Sequence, residues 1–350
     1  TSSGLQASTE SLRRGSSAQH GPVYIGGLDR TGKTTMRAFL ASHSNISIPA
    51  VGSNMWTYFY RQYGDLADRA NFERCLRDML RYKHVRFLEP DEERIRVDFE
   101  DGPKTYAHLF ELFLRQDAER VGKPRWGAQT GLVERYAEPM YEAYPGLSIV
   151  HMIRDPRDRY EASLALWPKG KGRAGGAAAR FAYTTRLAEV NERRFGADRY
   201  RVVRFEDLVS EPEETIRGVC EFLGEDFEPT MMSMPAAPQL RRKMGFDTSE
   251  AGAIVLSQEY IGVYRERVPP VEVDFIETVL RRRMRRWGYD PTQWPESDKA
   301  GVRERAVSWP GQAARFAAWL GVETIQQHLP RLMRRRPGSR MTTADTAEAP

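Results

Sequence analysis

The feature that most constrains this chain is Gly27-Leu28-Asp29-Arg30-Thr31-Gly32-Lys33-Thr34, which satisfies G-x-x-x-x-G-K-T at every fixed position. The apolar run Pro22-Val23-Tyr24-Ile25-Gly26 precedes it, and Met36, Phe39 and Leu40 follow at helical spacing. A strand, a glycine-bearing loop and a helix in that order make an anion cradle. Glycines let backbone N–H groups turn inward, the helix N-terminus adds partial positive charge, and Lys33 and Thr34 supply further donors. The loop predicts phosphate binding without choosing among phosphate-bearing nucleotides.

The rest of the pattern fits an α/β domain. Ile46-Ser47-Ile48-Pro49 predicts a short strand, and helical spacing recurs near 65–82, 105–121 and 132–143. Leu147 to Ile153 is apolar at nearly every position, as a strand covered on both faces requires. A helix over 157–166, a Gly/Lys loop over 168–176 and a long helix to about 195 follow. Tyr200 to Phe205 predicts another strand, 211–223 a helix with Pro212 in its first turn, and 273–287 the last core helix. Strands alternating with helices imply a central, mostly parallel sheet flanked by helices, a single domain of P-loop type over 21–290.

Residues 1–20 have almost no large apolar side chains and predict a disordered leader. Residues 291–350 predict a helical extension with a basic, partly disordered tail. Its apolar residues, Phe316, Trp319, Leu320, Ile325, Leu329 and Leu332, suit packing on the domain better than weak contact with a membrane surface, with Pro310 and Pro330 expected to interrupt the helix. No run approaches the roughly 20 apolar residues of a membrane span, and no signal-peptide pattern opens the chain, so a cytoplasmic setting is expected. The two cysteines, Cys75 and Cys220, have no partners at metal-ligand spacing. A net charge of +5 suits an anionic ligand, but no aromatic and basic interleaving argues for nucleic acid.

A kinase or NTPase using ATP and Mg²⁺, the alternative reading of the loop, should also have a strand ending in a metal-binding Asp. Strand 147–153 instead runs into Arg154-Asp155-Pro156-Arg157-Asp158-Arg159, with Ser163 on the helix that follows. An arginine at a strand end beside a helix N-terminus makes a second anion site.

Here the chain resembles the sulfotransferases that use 3'-phosphoadenosine 5'-phosphosulfate (PAPS), especially the bacterial type with R-D-P-R-D after a central strand. The likeness extends to Val203-Arg204-Phe205-Glu206-Asp207-Leu208 and to Cys220-Glu221-Phe222-Leu223-Gly224, and covers about 22–228. It implies that Arg30, Thr31, Gly32, Lys33, Thr34 and Thr35 hold the 5'-phosphosulfate, and that Arg154 and Ser163 hold the 3'-phosphate. It also implies release of adenosine 3',5'-bisphosphate and no metal.

Three departures stand out. Lys33 replaces the threonine common in the family loop, Ser163 lies one residue later than the family's serine, and Trp126-Gly127-Ala128-Gln129-Thr130-Gly131 has Gln129 where relatives have a cation. Gly131 occupies the place of the catalytic His of cytosolic relatives. Arg30 and Lys33 are the candidates for stabilising charge during transfer. Asp65, after the aromatic stretch Trp56 to Tyr60, is the candidate general base, and a helix N-cap is the competing role for it. The expected acceptor is a hydroxyl on a small molecule, glycolipid or natural product.

Overall fold

Every residue of β1, Val23–Gly27, is buried. The strand is the centre of a five-stranded sheet of order β2-β3-β1-β4-β5, with β2 at Ile46–Ser47, β3 at Arg125–Gln129, β4 at Ser148–Ile153 and β5 at Tyr200–Arg204. All of its pairings are parallel. The structure is a computed structural model and describes residues 21–164, 173–236, 258–296 and 299–328. The expected leader at 1–20, most of the Gly/Lys loop and the basic tail from 329 lie outside the described residues.

Helix α1 (Lys33–Ala41) follows β1 directly. Between β2 and β3 lie α2 (Met55–Tyr58), α3 (Arg69–Arg81), α4 (Lys83–Arg86), α5 (Glu92–Asp101) and α6 (Tyr106–Arg120). A 3-10 turn at Val133–Tyr136 leads into α7 (Ala137–Ala143), and α8 (Pro156–Leu164) and α9 (Arg173–Phe195) join β4 to β5. Beyond β5 come α10 (Phe205–Ser210), α11 (Pro212–Leu223), α12 (Tyr264–Arg267), α13 (Pro270–Arg286) and α14 (Val302–His328).

Alternation along β1 divides the core in two. Tyr24 joins Trp56, Phe110 and Tyr144 in one cluster, while Val23 and Ile25 join Met36, Phe39 and Leu208 in the other. Strand β3 was not legible in the sequence. Its first residue is an arginine, yet Arg125 is buried because its guanidinium donates to Gly21 O at 2.8 Å and Leu223 O at 2.7 Å and pairs with Glu225 at 3.0 Å. A Cβ at Gly127 would lie 2.4 Å from Val23 O, so only glycine lets β3 and β1 approach this closely.

The C-terminal segment departs from expectation at one point, because α14 runs through Pro310 without interruption. Packing accounts for this. Helix α9 presents Gly175 and Gly176 to α14, where a Cβ would fall 2.1 Å from Gln312 O and 2.9 Å from the Trp319 ring. Trp309 and Phe316 pack on the cluster formed by α9 and α13. This contact outweighs the roughly 3 kcal/mol cost of a proline within a helix. Among the described residues, no helix is long and apolar enough to cross a membrane.

Candidate active site

The loop between β1 and α1 is built from left-handed residues: Gly27 has φ 111°, Arg30 φ 66° and Gly32 φ 85°. Gly32 is the N-cap of α1 and provides no side-chain cap, so the first N–H groups of a nine-residue helix stay available to a ligand. The Lys33 ammonium turns back into the loop and donates to Gly27 O at 2.7 Å and Leu28 O at 2.6 Å, with the Asp29 carboxylate at 3.7 Å. Burial draws its pKa down, against the pull of Asp29 and Glu134.

The arginine element after β4 divides by direction. Arg154 and Arg159 reach the loop. Arg154 donates to Arg30 O at 3.2 Å and Tyr260 O at 2.8 Å, lies 4.5 Å above the Phe205 ring, and keeps a buried Nε with no hydrogen-bond partner among the described residues. Arg159 donates from Nε to Asp29 O at 3.1 Å and is buried beside Arg180 and Arg154. Burial and those two neighbouring cations push its pKa down to about 9.

The remaining members bond to one another and to other segments. The Asp155 carboxylate takes both Nε and Nη2 of Arg157, at 2.9 and 2.6 Å, and the Asp158 carboxylate accepts the N–H groups of Gly262 and Tyr264. Asp155, the one acid at the end of this strand, is thus committed to an arginine.

Beneath the loop lies a polar network the sequence did not reveal. Glu134, on the 3-10 turn after β3, accepts the Gly27 N–H at 3.2 Å and the Thr184 hydroxyl. His151 on β4 meets Thr184 Oγ1 at 3.0 Å through Nε2 and Tyr200 OH at 2.6 Å through Nδ1. One ordering of protons satisfies every member: Tyr200 donates to Nδ1, Nε2–H donates to Thr184, and Thr184 donates to an ionised Glu134. Burial alone would raise the Glu134 carboxyl, but His151, the Thr184 hydroxyl, a backbone N–H and Lys33 outweigh it and hold the group below the usual range. Burial lowers His151, which favours the neutral ring this ordering needs.

A second tie comes from α14. Glu323 is buried against Arg135 and lies 3.2 Å from Arg180 Nε, while Arg180 Nη2 stands 4.0 Å from Asp29.

The structure brings Arg30, Thr31, Gly32, Lys33, Thr34, Thr35 and Arg154 to one place. Ser163 lies on α8, and its hydroxyl donates to Tyr160 O at 2.7 Å. Asp65 is elsewhere: it accepts the Ala67 N–H and lines a cavity of about 910 Å³ with Trp56, Tyr60, Tyr106 and Tyr144. No residue of the loop lines that cavity. The N-cap of α3 is Asp68. The Arg241 to Lys243 segment lies outside the described residues.

The model of the sulfotransferase family matches residues 22–229, more than half of the chain. The chain belongs to the sulfotransferase family. No curated protein matches its sequence. Among solved structures, the sulfotransferase domain of the olefin synthase of Synechococcus PCC 7002 is 18% identical with a TM-score of 0.47, over 75% of this chain and 96% of that one. The sulfotransferase domain from the curacin biosynthetic pathway is 16% identical with a TM-score of 0.48, over 78% and 99%. Retinol dehydratase, solved with androsterone and the inactive cofactor PAP, is 12% identical with a TM-score of 0.36, over 78% and 82%. In this sulfotransferase the loop, the central sheet and the arginine element all fall inside the family segment, whereas Glu323 lies beyond it.

Proposed function

We propose that this sulfotransferase moves a sulfuryl group from PAPS to a hydroxyl of a small molecule, glycolipid or natural product, in a cytoplasmic setting. One observation carries the choice of donor: Arg154 leaves the end of β4, touches the loop through Arg30 O, and holds beside it a buried Nε that has no hydrogen-bond partner among the described residues. A nucleotide with phosphate at both its 5' and 3' positions answers two adjacent anion sites, and the commitment of Asp155 to Arg157 removes the strand-end acid an ATP and Mg²⁺ site would use.

The residues present fit the group. The α1 N–H groups, Thr31, Gly32, Thr34 and Thr35 hold the 5'-phosphosulfate, and Arg154 holds the 3'-phosphate with Ser163 once that hydroxyl turns from Tyr160 O. PAPS supplies an activated sulfuryl group whose bridging oxygen leaves with the 5'-phosphate. Lys33 releases Gly27 O and Leu28 O to meet the incoming charge, and Arg30 neutralises the leaving oxygen; such fixed cations act where charge develops. Burial of Lys33 and Arg154 strengthens these contacts by excluding water.

Thermal unfolding with added nucleotides tests the reading. Strong stabilisation by adenosine 3',5'-bisphosphate and none by ATP with Mg²⁺ is expected, and the reverse order would overturn it.

A further inference from the structure

A sulfuryl acceptor must lose its hydroxyl proton, and the carboxylates around the loop differ sharply in their freedom to take it. The Glu134 side chain is wholly buried beneath the loop, and Glu323 is closed between Arg135 and Arg180. Glu206 accepts the Asp155 N–H and the Tyr289 hydroxyl, and Asp155 and Asp158 are committed as described. Asp29 alone of these acids is open, its side chain half exposed at the mouth of the loop. Gly131 faces it with no side chain: a Cβ there would stand 3.8 Å from Asp29 Oδ1, in otherwise open space. Helix α2 borders that opening, since Thr57 donates to Gly131 O at 3.1 Å.

We propose that Asp29 is the general base of the reaction, a catalytic residue on the donor-binding loop itself; this rests on the assignment of PAPS above. The acceptor oxygen bonds to sulfur as the sulfur to bridging-oxygen bond breaks. Asp29 takes the hydroxyl proton and returns it to water, and the departing bisphosphate keeps the electron pair.

The neighbours of Asp29 couple its basicity to the donor. Lys33 from α1, Arg30 from the loop, Arg159 from α8 and Arg180 from α9 all face it, with Glu134 below Lys33. The partial loss of water on its inner side would raise the carboxyl, but Lys33, Arg180, Arg159 and Arg30 outweigh it and hold the group below the usual range. Two of these cations, Lys33 and Arg30, are those given above to the incoming phosphosulfate. Once shared with that anion they favour the carboxylate less, so its pKa rises and Asp29 becomes a stronger base only when the donor is in place.

Asp29→Asn separates a base from a tether. Calorimetric titration with adenosine 3',5'-bisphosphate, together with turnover of PAPS to water and to a series of phenols at pH 8, provides the readouts. Loss of a negative charge beside an anion site should leave binding equal or several-fold tighter, while turnover to water and to un-ionised phenols falls about 100-fold. Turnover to 4-nitrophenol, already ionised at that pH, should fall far less. If binding and all turnover weaken together, Asp29 is a structural tie to Lys33 and Arg180 and the proposal fails. Unchanged turnover with intact binding would also overturn it. Failure of the wild-type chain to bind the bisphosphate would instead remove the donor assignment on which the proposal stands.

Discussion

Glu134 Oε2 accepts the backbone N–H of Gly27 at 3.2 Å, so a carboxylate from the turn after β3 fixes the first residue of the phosphate loop. The same carboxylate ends the chain of donors that runs through Thr184 and His151 to Tyr200.

Glu134→Ala should therefore cost about 3 kcal/mol of stability, because it strands a buried N–H and a hydroxyl at once. Affinity for adenosine 3',5'-bisphosphate should fall with it. Glu134→Gln keeps an acceptor for Gly27 and should lose less than half as much in chemical denaturation.

His151 sets a pH dependence. Its pKa in the fold is lowered by burial, so the unfolded chain takes up a proton first as pH falls. Stability should decline from about pH 6.5 downward until the folded ring titrates, with Glu134 contributing a further loss only below about pH 4.3. Denaturation midpoints measured across pH 5 to 8 should show the upper slope, and His151→Gln should flatten it.

Arg154→Ala should weaken adenosine 3',5'-bisphosphate about 100-fold, the effect of deleting charge-assisted bonds to a phosphate. Adenosine 5'-phosphosulfate, which lacks the 3'-phosphate, should bind the variant as it binds the wild type. Calorimetry with both ligands distinguishes loss of a 3' contact from general damage to the loop.

Gly32→Ala meets two obstacles, a φ of 85° and a Cβ placed 2.5 Å from the Phe205 ring. A loss of about 2 kcal/mol is expected, with nucleotide affinity reduced alongside. Adding Phe205→Leu should recover part of that stability by relieving the contact but not the backbone. A fully additive double variant would show that the ring contact is irrelevant.

The sequence was most legible where one short segment carries its own reason to fold. Gly27, Gly32 and Lys33 announce the loop, and the apolar runs that became β1 and β4 read as buried strands. Strand β3 was hidden because Arg125-Trp126-Gly127-Ala128-Gln129 has no strand pattern; its arginine is made tolerable by acceptors at 21, 223 and 225. Glu134 and Arg180 escaped notice, and the parts played by Arg159 and Phe205 could not be read from the segments that contain them, for the same reason. Each matters through a partner distant in sequence, such as Thr184 for Glu134 or Gly32 for Phe205.

The recognisable family segment ends at 229, yet Glu323 supplies the negative charge that Arg135 and Arg180 face beside the loop. The segment matched by the family model is therefore shorter than the stretch of chain whose charges meet beside the loop. A graft or fusion cut at the family boundary would carry away Arg135 and Arg180 and leave behind the carboxylate they share, and its failure would not by itself speak to the chemistry of the loop.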